Sequence, residues 1–157
     1  MQTNRDVELR NFYHTQLKNW LRVEHSASGR DVHYPNLIAA TLTFKNRVDE
    51  ITASRTLTYC LNPINRKLFG KNGNKKGKRL KVIPTLETKG NLHYHLLIEI
   101  PDGRTPREIT ELLNYHWKTT INGGYVQTKT KADEGWLDYI TKFSRQDDDI
   151  DFLNIEF

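Results

Sequence analysis

Apolar positions along the chain switch between two spacings, and the switches mark out its elements. In residues 5–24, Leu9, Tyr13, Leu17 and Trp20 recur every three or four residues among charges, which predicts an amphipathic helix. Residues 26–31 (SASGRD) break that pattern. In residues 37–45, Ile38, Ala40, Leu42 and Phe44 alternate with Ala39, Thr41, Thr43 and Lys45. That alternation predicts a half-buried strand with one apolar face. Residues 49–61 read as a helix that Asn62-Pro63 should disrupt. Residues 71–78 (KNGNKKGK) combine glycine, asparagine and like charge, which predicts a mobile loop.

A second strand follows at residues 79–87, with Leu80, Val82 and Leu86 on one face and Arg79, Lys81, Thr85 and Glu87 on the other. Pro84 lacks an N–H, so the strand should bulge there or lie at an edge. Residues 88–91 (TKGN) form a hairpin-length turn into a third strand at 92–100, ended by Pro101-Asp102-Gly103. Residues 105–119 predict a helix with Thr105 as N-cap and Pro106 at its first position. Asn122-Gly123-Gly124 turns the chain into a fourth strand at 125–131, and residues 134–145 read as a last short helix. The order β-α-β-β-α-β predicts an α+β fold of split βαβ, ferredoxin-like type. Its antiparallel sheet would have four to five strands, preceded by an N-terminal helix and followed by a helix bearing Tyr139. The implied organisation is a helical extension over residues 1–30, one domain over 31–146 and an acidic tail over 147–157.

Composition narrows the class. No run approaches the roughly 18 apolar residues a membrane span needs, and the N-terminal MQTNRDVELR has no secretory core. A single cysteine, Cys60, excludes an internal disulfide framework and a cysteine-based zinc site; the expected location is a reducing cytoplasm.

The net charge of +5 is unevenly spread. Residues 147–157 hold five acids and no Lys or Arg, so residues 1–146 carry +10. Residues 51–86 contain no acid and nine cations. Such a stretch attracts phosphate backbones. Lys75, Lys76, Lys78 and Arg79 are the expected DNA contacts, beside the second strand. The acidic tail reads as a solvated end, with a partner-binding tail or a competitor for the DNA groove as alternatives.

The sharpest motif is Leu92-His93-Tyr94-His95-Leu96. On a strand, Leu92, Tyr94, Leu96 and Ile98 share an apolar face, and His93 and His95 project together from the other. Their imidazoles are then close enough to hold one ion. A third ligand is needed on the same face. The turn at 88–91 brings Glu87 beside His93, whereas Glu99 lies about 13 Å from His95 along the strand. Glu87 is therefore the expected ligand and Glu99 its rival. Two imidazoles and a carboxylate suit Mn²⁺ or Mg²⁺ acting on phosphates, and can also hold zinc.

In residues 135–143 (GWLDYITKF), Trp136, Ile140 and Phe143 would anchor the last helix to the core, leaving Tyr139 and Lys142 together on another face. A phenol attacks a phosphate only with help: a cation to neutralise developing charge and a metal to polarise the phosphodiester. Lys142 and the His93/His95/Glu87 ion can supply these.

The ordered set of Ala40-Thr41-Leu42-Thr43-Phe44, His93-Tyr94-His95 and Tyr139-Ile140-Thr141-Lys142 resembles the HUH endonucleases, specifically the single-tyrosine rolling-circle replication initiators (Rep proteins). The likeness covers roughly residues 37–145. It implies a Rep-type nickase: Tyr139 attacks a scissile phosphate in single-stranded DNA or a hairpin origin, becomes linked to the 5′ phosphate and frees a 3′ hydroxyl. A later 3′ hydroxyl reverses the step and joins strands. Thr41 and Thr43, facing the metal side, are candidate substrate contacts. Larger initiators carry a helicase; this chain has no room for one and no GxxxxGK[ST] loop, so either it is an excised domain or unwinding and extension would fall to a host or partner helicase and polymerase, in a host's cytoplasm if the element is a phage. Two other readings stay open: a small HUH single-strand transposase, against which YxxK argues mildly, and a non-catalytic nucleic-acid-binding module. Trp20, Trp117 and Trp136 read as core, and His14, His25, His33 and His116 as structural or surface residues.

Overall fold

Alternating strands bury their apolar faces only if something covers them, and here two helices cover one side of a sheet. In the computed structural model the described residues are 15, 33–34, 36–129, 132–133 and 148–150. They form β1 (His33–Tyr34), β2 (Leu37–Phe44), α1 (Glu50–Lys75), β3 (Val82–Glu87), β4 (His93–Glu99), α2 (Pro106–Thr119), β5 (Gly123–Lys129), β6 (Ala132–Asp133) and β7 (Asp148–Ile150). The helices expected at 5–24 and 134–145, and with them Tyr139 and Lys142, lie outside the described residues.

The main sheet runs β5-β2-β4-β3-β7 and is antiparallel at every pairing, while β1 and β6 form a separate ribbon. The fold is therefore α+β, as the pattern predicts. Four longer strands with a helix after the first and third are consistent with a ferredoxin-like arrangement. The fifth strand comes from the acidic segment. Residues 148–150 pair with residues 85–87 along the outer side of β3, so this part of the tail is an edge strand rather than a solvated end.

Even-numbered positions of β2, β3 and β4 (Ile38, Leu42, Val82, Leu86, Tyr94, Leu96, Ile98) pack on Ala53, Leu57 and Ile64 of α1 and on Ile109, Leu113 and Trp117 of α2. Cys60 is buried in the same core, and burial pushes its thiol up to about 12. Thr105 caps α2 as expected, its hydroxyl accepting from Glu108 N, with Pro106 at the first turn.

α1 departs from expectation at Pro63. The helix runs through it, because Ile64, Asn65 and Leu68 continue the buried face. The missing N–H would have bonded the carbonyl of Tyr59, a residue 68% exposed. The backbone breaks instead at Gly70 (φ 67°), where Arg104 Nη2 donates to the Leu68 carbonyl at 2.9 Å.

The segment 71–78 is not a mobile loop. Residues 71–75 resume helix, and Gly77 (φ 75°) closes it with Gly77 N–H to Asn74 O and Lys78 N–H to Gly73 O. These two bonds make a Schellman cap. Asn65 Oδ1 then accepts from Leu80 N–H at 2.6 Å, so β3 begins at Val82 and not at Arg79.

β3 meets β4 in unbroken register from Val82↔Ile98 to Glu87↔His93, without the bulge that Pro84 could have demanded. Glu99 N–H donates to Lys81 O, which sets the alternation of bonded pairs. Pro84 falls in a non-bonded pair with Leu96, its nitrogen facing the outer edge. There β7 is paired only from Thr85 onward.

The opposite edge carries the bulge. Gly124 and Tyr125 together oppose Thr43, since Leu42 pairs with Val126 and Phe44 with Gly123. A Cβ at Gly124 would sit 2.9 Å from Thr43 O and Lys45 N, and one at Gly123 would collide with Trp117 O, which explains the paired glycines.

Candidate metal centre

The register of three strands builds the site. On the face turned away from the helices, β2, β4 and β3 contribute two successive rows: Thr41–His95–Thr85 and Thr43–His93–Glu87. Next along come Ala39–Leu97–Ile83, each at most 1% exposed, so this half of the face is buried rather than wet. The polar rows thus stand against an apolar floor.

Glu87 reaches across the hairpin to both histidines. Its Oε2 lies 3.1 Å from His93 Nε2 and 3.0 Å from His95 Nε2. The three side chains are 17%, 24% and 10% exposed respectively, so all are largely withdrawn from water. His93 Nδ1 lies 2.9 Å from the Asn91 carbonyl, which can only accept; Nδ1 therefore carries a hydrogen. In the neutral imidazole, Nε2 then presents a lone pair toward the carboxylate. Two lone pairs at this separation require a positive charge between them, a proton or a cation. His95 Nδ1 is 3.3 Å from the Thr41 hydroxyl, which fixes the second ring from behind. This is the outer-shell support that metal-ligating histidines use.

The donor set fits a divalent ion. Donors arranged cis around an ion at about 2.1 Å stand roughly 3.0 Å apart, close to the two distances from Glu87 Oε2. One ligand atom from each of Glu87, His93 and His95 lies within 4.8 Å of the others, and these three form the one such group among the described residues. Three protein donors leave further positions open for water or a phosphate oxygen. The Thr85 hydroxyl, buried in the row beside His95, has no hydrogen-bond partner among the described residues, and a metal-bound water would give it one. Glu99 is elsewhere: it pairs in register with Leu37 and holds Lys81 Nζ at 3.4 Å. Of the two candidate carboxylates, Glu87 is the one that the fold brings to the histidines.

Comparison with known proteins returns nothing. No protein-family model, no curated protein and no solved structure matches this chain.

The other expected contacts are spread out. The Thr43 hydroxyl is engaged at the bulge, donating to Tyr125 O at 3.2 Å and accepting from Tyr125 N at 3.1 Å. Lys75, Lys76, Lys78 and Arg79 are exposed but lie beyond the start of β3. Glu87 ends that strand, so roughly 17 Å of extended chain separates them from the site. The cations near the metal centre are ones that the sequence did not single out. A groove of about 490 Å³ opens beside His93, lined by Lys45, Asn46 and Arg47 after β2 and by Gly90, Asn91 and Leu92 of the β3–β4 turn. The signal was present: two cations directly follow the strand that carries Thr41 and Thr43. His116, on α2, stacks edge-on with Tyr115 at 5.0 Å, and burial lowers its pKa.

Proposed function

We propose that this chain is a metal-dependent nickase and strand joiner of single-stranded DNA, of the HUH replication-initiator type, working through a covalent 5′-phosphotyrosine. One observation carries the reading: a single carboxylate oxygen of Glu87 faces both His93 Nε2 and His95 Nε2 at hydrogen-bond distance. A groove bearing Lys45 and Arg47 lies alongside.

When bound there, a divalent ion polarises the scissile phosphodiester and neutralises charge that develops on it. Thr41 holds the His95 ring in place, and the Asn91 carbonyl fixes the hydrogen of His93 on Nδ1, leaving Nε2 for coordination. Lys45 and Arg47 attract the phosphate backbone. Tyr139 Oη forms the new bond to phosphorus, the P–O3′ bond breaks, and the phenol proton is lost as the 3′ oxygen gains one. Lys142 is the cation that favours the phenolate. A transesterification of this kind conserves the bond energy, so the freed 3′ hydroxyl can attack the phosphotyrosine and rejoin the strand.

The test is a denaturing gel of the full chain incubated with single-stranded DNA and Mn²⁺. A covalent protein–DNA adduct is expected for the wild type, with none for Tyr139→Phe and none in EDTA. If the wild type and Tyr139→Phe behave alike, the catalytic reading fails and a nucleic-acid-binding module remains.

A further inference from the structure

The basic end of α1 stands apart from the metal centre, and its chemistry differs from that of the groove. We infer that Lys71, Lys75, Lys76, Lys78 and Arg79 form a second nucleic-acid site that grips the phosphate backbone of duplex DNA without reading its sequence.

All five residues are exposed. They stand on a fixed scaffold: the short helix after Gly70, the Schellman cap at Gly77, and the Asn65–Leu80 bond that ties the turn's exit to α1. Ordering these cations in advance reduces the entropy that binding would otherwise cost. Residues 51–86 contain no acid, and beyond them Glu99 is matched by Lys81 and Glu108 by Arg104.

What the patch lacks identifies its partner. Residues 70–79 are only glycine, asparagine, lysine and arginine, so there is no apolar centre for a protein interface. Single-strand binders stack bases on exposed aromatic rings. The one aromatic residue between 66 and 81 is Phe69, which packs against the core. Lysine, arginine, asparagine and free backbone N–H groups are the donors that contact duplex phosphates. At least 17 Å of strand from Glu87, the patch can hold a duplex while a single strand occupies the groove.

Strand scission plays no part in this second site, so it is tested in EDTA, where no cleavage occurs. Fluorescence anisotropy of the full chain compares a short blunt DNA duplex with a single strand of thymidines, across a salt series. Joint replacement Lys75→Gln, Lys76→Gln, Lys78→Gln and Arg79→Gln should weaken duplex binding by roughly tenfold or more at low salt. The slope of log affinity against log salt should become shallower by about 0.9 for each phosphate that is no longer neutralised. Single-strand affinity should change by less than about threefold, because that strand binds elsewhere. Lys75→Arg, Lys76→Arg and Lys78→Arg together should retain duplex binding. Unchanged duplex affinity and slope in the Gln variant would overturn the site, as would an equal fall on the single strand or a fall in the Arg variant.

Discussion

His95→Ala should reduce metal-dependent cleavage of single-stranded DNA by roughly a thousandfold, the kinetic equivalent of ~4 kcal/mol of lost charge stabilisation. His95 is the candidate ligand with the most support: 8% exposed, its Nε2 on Glu87 and its Nδ1 against Thr41. Removing it leaves the Glu87 carboxylate and one imidazole, too few donors to keep a divalent ion at ordinary concentrations. DNA affinity should stay within about threefold, because phosphate contacts by Lys and Arg dominate it. Cleavage and binding, measured on the same oligonucleotide, separate the two effects. A variant that still cleaves at the wild-type rate would remove the metal from the mechanism. One that loses binding and cleavage together would place His95 in the DNA surface instead.

The second large effect concerns stability. Trp117→Ala should cost about 3–5 kcal/mol, a large share of the ~5–15 kcal/mol that holds a domain together. Trp117 is fully buried, packs edge-on against Phe44 at 5.1 Å and donates Nε1–H to the Thr43 carbonyl at 2.8 Å. Truncation opens a cavity at the junction of α2 and β2 and leaves that carbonyl without its donor. Trp117→Phe keeps most of the volume and loses the hydrogen bond, so it should cost far less, about 1–2 kcal/mol. Urea denaturation of the three proteins gives the comparison. A change under about 1 kcal/mol for Trp117→Ala would mean that the α2–β2 junction does not anchor the fold.

The elements of the fold and site were unequally legible in the sequence. Period-two alternation in residues 37–45 and 92–100 placed the two central strands and put His93 and His95 on one face. The short turn delivers Glu87 to them, although it spans five residues, 88–92, rather than the four expected: the extra residue is what sets Glu87 opposite His93. These features are local, and short-range geometry decides them. Pro63 misled because a helix tolerates a missing N–H wherever tertiary packing continues its buried stripe, as Ile64 and Leu68 do here. The Lys71–Lys78 segment misled for a related reason: its glycines work as a helix break and a cap, and asparagine with like charge does not forbid a Schellman turn. The long-range pieces left little trace. Nothing in the local pattern announces that Arg104 would hold the Leu68 carbonyl, that the Thr41 hydroxyl would stand behind His95, or that residues 148–150 would add a strand beside β3.

The most direct test of the metal centre is Mn²⁺ binding followed by the electron paramagnetic resonance of the free ion. The wild-type chain should take up one Mn²⁺, Glu87→Ala should bind it at least about tenfold more weakly, and Glu99→Ala should match the wild type. Equal affinity in the wild type and Glu87→Ala, or a greater weakening in Glu99→Ala, would contradict the assignment.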